Sequence, residues 1–408
     1  MRILHTSDWH LGHRLYGRNR YDEFAAYLNW LVDYIAEQEI ELLLVAGDIF
    51  DTTTPGNRAL ELYYRFLHRI SNSPCRAVVI IAGNHDSPTL LEAPKDLLKQ
   101  FDVHVTGTPA TEPRDQVVYI PGLQGDDLLV CAVPFLRDRD IRLAGAGESQ
   151  EEKAARMEKE IERHYQQVYA AAMEIREERG KPLPVIGMGH LFMTGAKTVD
   201  GDGVRDVYVG GLQQTFGGRF PEGMTYFALG HLHLAQRVGG GETIRYSGAP
   251  LPMGFNEARK AKVMLQVECD REKLQVHEVP VPAFRELHIL KGELPELLLE
   301  IAQLKEQGST AWLEIRHQGV MEAGALRQQL YDAVDDSDMS LLRIRTSLHL
   351  KTALAQEYEA QSLDDLSVDE VFERCLQSVD LGDDERIELR DCFQEILSSM
   401  HMQDRRSE

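Results

Sequence analysis

Unbroken apolar runs that stop in polar clusters recur through residues 1–250: "MRILHTSDWH", "ELLLVAGDIFD", "VVIIAGNHDSP", "LLVCAVPFL", "PVIGMGHLF" and "YFALGHLHLAQ". A run that is apolar at every position, rather than alternating, fits a strand buried on both faces, as in a parallel sheet. Helical patterns separate the first three runs. Tyr21 to Glu37 sets Phe24, Leu28, Leu31, Val32 and Ile35 on one face, and Arg58 to Ile70 is apolar nearly all round. The latter needs two buried faces, one on the sheet and one on a symmetry mate or another element of the same chain. A charged pattern from about Ser149 to Arg179 predicts a long helix that is solvated rather than core. Strand, helix, strand, helix, strand predicts a layered α/β core over residues 1–280.

After "VPVPAF", Val279 to Phe284, the pattern changes. "RELHILKG", "PELLLEIAQLKEQ", "TAWLEIRHQ", "AGALRQQLYDAV" and "MSLLRIRTSL" read as βαβαβ, a small second α/β unit over residues 285–350. Residues 353–408 hold two amphipathic helical patterns. Ser367 and Glu370 match a capping box before Val371, Phe372, Cys375, Leu376 and Val379. Leu389, Cys392, Phe393, Ile396, Leu397 and Met400 repeat the spacing.

Composition narrows the classes. The chain has 408 residues and lacks an apolar run of about 18 residues, so no spanning helix is expected. Its first residues lack the apolar core of a signal peptide, which points to the cytoplasm. Cys75, Cys131, Cys269, Cys375 and Cys392 are widely spaced and include no C-x-x-C pair, so ordinary buried thiols are expected. The net charge of -22 argues against nucleic-acid binding by a general basic surface. Residues 353–408 hold 16 acidic and 5 basic side chains, a net of -11. Half the excess therefore lies in the tail.

The polar residues after the strands carry the chemistry. They are Asp8 and His10, Asp48, Asn84 and His85, His190, then His231 and His233. Each has a plainer explanation alone: a turn, a helix cap, a satisfied core histidine. Together, five strand ends of one sheet would have to acquire oxygen and imidazole donors by chance. Carboxylate, amide oxygen and imidazole without thiolate suit manganese, iron or magnesium, and imidazole-rich sites also take zinc. In extended chain, residues i and i+2 point the same way, so D-x-H and H-x-H would each direct two side chains into one site. Seven candidates fill two sites if Asp48 bridges. Paired divalent ions orient a hydroxide nucleophile and neutralise both oxygens of an in-line phosphoester displacement. His85 points to the opposite side from Asn84 and can face the substrate; its plainer roles are ligand or structural donor.

The ordered set D-x-H, GD-x-x-D, GNHD, GH and GH-x-H resembles the calcineurin-like metallophosphoesterase superfamily. The wording "MRILHTSDWHLG", "VAGDIFDT", "AGNHDS" and "ALGHLH" resembles the bacterial SbcD nuclease-subunit family more narrowly, strongly to about residue 280 and by domain order beyond. The resemblance implies a layered β-sandwich flanked by helices, an α/β capping domain and C-terminal helices. It implies two Mn2+ per chain, with Mg2+ or Fe2+ as alternatives. Asp8, His10, Asp48 and His233 match the ligands of one ion; Asp48, Asn84, His190 and His231 match those of the second; His85 matches a catalytic histidine that is not a ligand. Archaeal and eukaryotic relatives carry a second histidine where this chain has Asp51. That points to a bacterial source and leaves Asp51 either a catalytic residue that orients or acidifies His85 or a cap for the following loop.

Further implications are a homodimer, an SbcC-type coiled-coil ATPase bound by the C-terminal helices, and DNA ends as substrate, on the nucleoid. The chain itself lacks a G-x-x-x-x-G-K-[ST] motif. Arg14, Arg18 and Arg20 in "HRLYGRNRYDE" form a local basic loop that could hold phosphates or be simply solvated. Arg137, Arg139 and Arg142 alternate with Asp138 and Asp140, so salt bridges serve equally well. The leading expectation is a manganese-dependent DNA nuclease subunit cutting double-stranded ends and single-stranded or hairpin DNA. The alternatives are a small-molecule phosphodiesterase or phosphatase and a DNA-end scaffold without catalysis.

Overall fold

The structure is a computed structural model. It describes residues 1–122, 125–141, 149–194, 196, 208–209, 212–213, 215–270, 273–319, 321–346, 389–390 and 393. Two compact units emerge. The first comprises Met1–Ile289, Gln307–Glu314 and Asp336–Arg343; the second includes Leu290–Glu306 and Ile315–Asp335.

The first unit contains β1 (Arg2–Thr6), α1 (Tyr21–Glu37), β2 (Leu42–Ala46), α2 (Asn57–Ile70), β3 (Ala77–Ile81) and β4 (Val103–Thr106). Next come β5 (Val117–Ile120), β6 (Leu128–Ala132), α3 (Gln150–Arg179), β7 (Val185–His190), β8 (Tyr226–Gly230), β9 (Gln236–Arg237), β10 (Ile244–Tyr246), β11 (Val263–Asp270) and β12 (Lys273–Pro280). These strands form two six-stranded sheets, ordered β12-β11-β1-β2-β3-β4 and β9-β10-β8-β7-β6-β5. β1 to β4 run parallel, as do β6, β7, β8 and β10. Every residue of β2, β3, β6, β7 and β8 is buried, as an unbroken apolar run requires.

Alternate residues explain the layers. Leu42, Leu44, Val79 and Ile81 face Leu128, Val130, Ile186 and Ala228 in a core between the sheets. Leu43, Val45, Val78 and Ile80 face outward onto α1 and α2. On the far side Leu129, Cys131, Val185 and Leu229 meet Met157, Ile161, Tyr165, Val168, Ala172 and Ile175 of α3. The result is a β-sandwich flanked by helices, in agreement with the expected fold class. The functional strand ends, however, belong to two sheets and not to one. The expectation that α3 is solvated also fails. Its charged positions mask a stripe at spacings of three and four, and that stripe covers the second sheet.

α1 matches its predicted span, and α3 starts after Ser149, whose side chain forms a capping box with Glu152. α2 lies beside α1 of the same chain, where Arg58 pairs with Asp22 at 2.9 Å and Arg69 bonds Asn29. A neighbour in its own chain therefore takes up much of the second face of α2, leaving Tyr64 exposed. Cys75, Cys131 and Cys269 are buried free thiols. After residue 286 the order is β13 (Leu287–Gly292), α4 (Leu294–Glu306), β14 (Trp312–His317), α5 (Ala323–Val334) and β15 (Ser340–Thr346), the expected βαβαβ, with sheet order β13-β14-β15. Leu297 and Ile301 of α4 and Leu326 and Leu330 of α5 are buried. Apart from Leu389 and Phe393, the residues of the two C-terminal helical patterns, with Cys375 and Cys392, lie outside the described residues, as does Arg142.

Candidate metal centre

The carboxyl ends of β1, β2 and β3 in one sheet and of β7 and β8 in the other converge on one buried cluster. Close approach there depends on glycine. A Cβ on Gly230 would lie 1.9 Å from the Ala46 carbonyl oxygen, and one on Gly83 would lie 2.1 Å from Asp48 Oδ1. The ligand segments are not extended, contrary to the D-x-H and H-x-H expectation. Asp8, His10, Asp48 and His231 have φ of 53°, 47°, 51° and 103°. Such conformations cost about 1–3 kcal/mol each and persist only where the surroundings over-determine them. Here Asp8 N donates to Gly47 O at 3.0 Å and His10 N to Asp48 O at 3.0 Å, so the two segments turn together while staying paired.

All seven predicted ligands meet. Donor atoms of Asp8, His10 and His233 lie within 4.8 Å of one another, and so do those of Asp48, His190 and His231. Asn84 Oδ1 is 3.0 Å from both His190 Nε2 and His231 Nδ1. Asp48 Oδ2 is 3.2 Å from His190 Nε2 and 3.7 Å from His10 Nε2. It therefore stands between the two groups, where a bridging carboxylate belongs.

The donor set fits divalent cations on its own chemistry. His190 Nδ1 donates to the Ala46 carbonyl at 2.9 Å, which in a neutral ring leaves a lone pair on Nε2. That lone pair faces two more acceptors, Asp48 Oδ2 and Asn84 Oδ1. Three converging acceptors require a positive charge, from a cation or a proton. Burial opposes a charged imidazole, yet Asp48 and then Asp8 raise the His190 pKa to about 9. On the other side His10 Nε2 and His233 Nε2 face each other at 3.1 Å. Their Nδ1 atoms look toward carboxylates, Asp51 at 3.6 Å and Glu257 at 3.9 Å, which favours lone pairs on both Nε2 atoms. Burial lowers the pKa of His10, and takes that of His231 down to about 3, so both are neutral and able to ligate near pH 7.

His85 is buried beside this cluster. Its N–H donates to Asp48 Oδ1 at 2.8 Å, and its Nδ1 lies 2.8 Å from the backbone carbonyl of Asp51. A carbonyl only accepts, so Nδ1 carries a proton and Nε2 is left for other work. Asp51 thus holds His85 through its main chain. Its carboxylate sits 3.1 Å from His13 Nδ1. Donor atoms of His10, Asp51 and His85 also lie within 4.8 Å of one another, a third group.

The basic loop divides. Arg14 and Arg18 stand on a hairpin turned by Tyr16 and Gly17, both at positive φ, and are exposed. Arg20 is not available to DNA, which corrects that expectation. It is 2 % exposed, grips Glu23 through Nε and Nη2 at 2.7 and 2.8 Å, and donates to Pro252 O. An arginine next to a helix start with an acid three residues on, Glu23, was the available signal for this internal pair.

Sequence reasoning also missed supporting residues. The Asp86 carboxylate accepts from Ile49 N at 3.1 Å, Phe50 N at 2.9 Å and Gly83 N at 2.8 Å, tying the Asp48 loop to the Asn84 loop. Ser7 donates to Asp8, and Glu257, held by Lys262, backs His233. Asp86 was legible as the last residue of "GNHD"; Glu257 was not, lying 24 residues from His233 in sequence.

A family model for calcineurin-like phosphoesterases matches residues 1–235. A second, SbcD_C, described as type 5 capsule protein repressor C-terminal domain, matches residues 283–380. The SbcD subunit of the SbcCD nuclease of Escherichia coli K12 is 33% identical over 404 residues, 98% of each chain. The chain belongs to the SbcD family of calcineurin-like phosphoesterases. The Bacillus subtilis member of the family, which carries the same name, is 32% identical over 77% of this chain and 78% of its own. That of Rhodobacter capsulatus is 34% identical over 63% and 64%. No described helix is long and apolar enough to cross a membrane.

Proposed function

We propose that this chain is the nuclease subunit of an SbcCD-type assembly in DNA repair, a metal-dependent hydrolase of DNA phosphodiesters. The observation that carries the reading is Asp48 Oδ2 standing between His190 and His10, with a candidate ligand group on either side. Two Mn2+ ions are assigned, one to Asp8, His10, Asp48 and His233, the other to Asp48, Asn84, His190 and His231. When bound they supply a water nucleophile and neutralise phosphoryl charge.

This chain's residues do the rest. Ala46 O and Glu257 aim the imidazoles of His190 and His233. Asp86 holds the two loops in register. His85, its Nδ1 proton held by Asp51 O, presents Nε2 to the substrate to hydrogen bond or transfer a proton. Asp51 is a positioning residue. Arg14 and Arg18 are assigned to backbone phosphates.

Residues 1–280 are assigned to the nuclease domain, 285–350 to the capping domain and 353–408 to docking on an SbcC-type coiled-coil ATPase. The curated relatives' name denotes one component of a larger nuclease, which supports that partner. A homodimer, with exposed Tyr64 of α2 as a contact, completes the assignment.

The test is manganese-dependent cleavage of linear duplex DNA beside a small phosphodiester and a small phosphomonoester. Cleavage of all but the monoester is expected. Preference for a small ester with DNA untouched would replace this reading with a small-molecule phosphodiesterase, and metal binding without hydrolysis would leave a scaffold.

A further inference from the structure

The chain from Gly83 to Asp86 follows β3 and carries Asn84 and His85 in no regular element. A loop outside helix and ladder must satisfy its peptide groups by other means. Among the described residues, none of its main-chain groups bonds to another main-chain group. Side chains take their place. Gly83 N donates to Asp86 Oδ2 at 2.8 Å, and His85 N donates to Asp48 Oδ1 at 2.8 Å. The carbonyls are served from the end of β6 in the other sheet, where Arg137 Nη2 donates to Asp86 O at 2.9 Å and lies 3.5 Å from Gly83 O. Those two oxygens flank Asn84 and His85 in sequence, so one guanidinium brackets the pair.

Arg137 is itself fixed. Just before it, Phe135 N donates to Ala82 O at 2.8 Å, and the Phe135 ring stands edge-on to His190 with centroids 6.2 Å apart. The Arg137 guanidinium lies 5.8 Å from the centroid of that ring, and the Arg137 main-chain N–H donates to Asp140 Oδ2 at 3.0 Å. A charged donor in such a half-buried position makes a stronger hydrogen bond than a neutral one in water. The other ligands on that side of the centre are held by different bonds: His190 by Ala46 O, and His231 through its N–H to Asp8 Oδ1 at 3.0 Å. Asn84 alone among them sits on the loop that Arg137 grips.

We propose that Arg137 is the positioning residue of the Asn84–His85 loop: by holding the Gly83 and Asp86 carbonyls it sets the Asn84 amide against His190 and His231. It thereby sets the affinity of the ion assigned to Asp48, Asn84, His190 and His231, and not that of the other ion. The proposal rests on the two-ion reading of the centre and adds the side chain that joins the Asn84 loop to the second sheet. Partners of this kind, which touch the ligand segment and not the ion, are worth about 10–100-fold in metal affinity or activity.

Calorimetric titration of the full chain with manganese reads the two binding steps. Arg137→Met keeps the stem and removes the donors, so one step should weaken about 10–100-fold while the other stays within about twofold. Arg137→Lys, a point donor that cannot bracket both carbonyls, should fall between. Asn84→Ala should weaken the same step, and adding Arg137→Met to it should cost less than about twofold more, because both residues act through one ligand. With both sites filled, Arg137→Met should lower kcat for a small phosphodiester and leave KM within about twofold, since His85 rides on the same loop. Unchanged affinity for both ions overturns the proposal. So do equal losses at both ions, or losses that add in the double variant, because Arg137 then supports the fold at large. A raised KM with metal affinity intact assigns Arg137 to substrate binding and overturns it as well. If Arg137→Met does not fold, Arg137→Lys decides, and wild-type affinity for both ions in that variant overturns the proposal. A wild type that does not bind two ions removes the two-ion reading and the proposal together; two ions bound without hydrolysis of DNA or ester removes the nuclease reading alone, and the titrations still decide the role of Arg137.

Discussion

Asp86→Ala and Asp86→Asn separate the hydrogen bonding of a buried carboxylate from the cost of its charge. In the fold Oδ2 accepts from Ile49 N and Gly83 N, and Oδ1 accepts from Phe50 N. Alanine leaves three buried donors unpaired, at about 1–3 kcal/mol each. Asparagine, with its oxygen at the Oδ2 position, keeps two of the bonds and turns an NH2 on the third donor, costing about 1–3 kcal/mol. Against both losses stands the charge. Burial, and then Asp48, raise the Asp86 pKa from 3.8 to about 6. Ionisation therefore costs the folded state about 3 kcal/mol near pH 7, a penalty that either substitution removes. Metal-free Asp86→Asn should thus match wild type within about 1 kcal/mol, and Asp86→Ala should fall about 3 kcal/mol below it. The sign with pH follows from a raised carboxylate: the wild-type penalty is absent below 3.8 and complete above about 6. Lowering the pH from about 7 to about 4.5 should then move the comparison against Asp86→Asn by about 2 kcal/mol. Urea unfolding of the chelator-treated proteins at both pH values measures this. Equal stability of the two variants, or a difference between wild type and Asp86→Asn that does not move with pH, would refute the reasoning.

His85→Ala should keep two manganese ions in calorimetric titration and lose about 10²–10⁴-fold in turnover, whereas Asp48→Ala should lose metal; an emptied site in His85→Ala would make His85 a ligand. Because a cation must displace the proton held on His190, whose pKa is raised to about 9, metal affinity should climb up to about tenfold per pH unit between pH 7 and 9 and then level off. Proton release measured in buffers of different ionisation enthalpy checks it, and a flat profile would place His190 outside the ligand set. Removing residues 353–408 should abolish binding to the coiled-coil ATPase in a pull-down while sparing hydrolysis of a small phosphodiester; full-strength binding by the truncated chain would assign docking elsewhere.

The strands, the helices around them and all seven ligand candidates were legible in sequence because each depends on local pattern. An apolar run such as Leu42–Ala46 buries both faces wherever it lies in the sheet, and the polar residues after it stand at its carboxyl end. What sequence could not supply was the partner of each strand. Whether β7 and β8 extend the first sheet or face it depends on long-range pairing, and only the sandwich brings His190 Nδ1 onto Ala46 O. The same holds for charge. A run with Arg14, Arg18 and Arg20 looks uniformly basic until folding buries the third against Glu23 and Pro252 and leaves the other two at the surface. Asp51 was visible as an acid near His85, but its backbone carbonyl makes the contact, and a main-chain atom has no sequence signature. Local periodicity determined which residues could be buried or presented. Tertiary pairing decided which of those presented atoms face one another, and with that where positive charge is required.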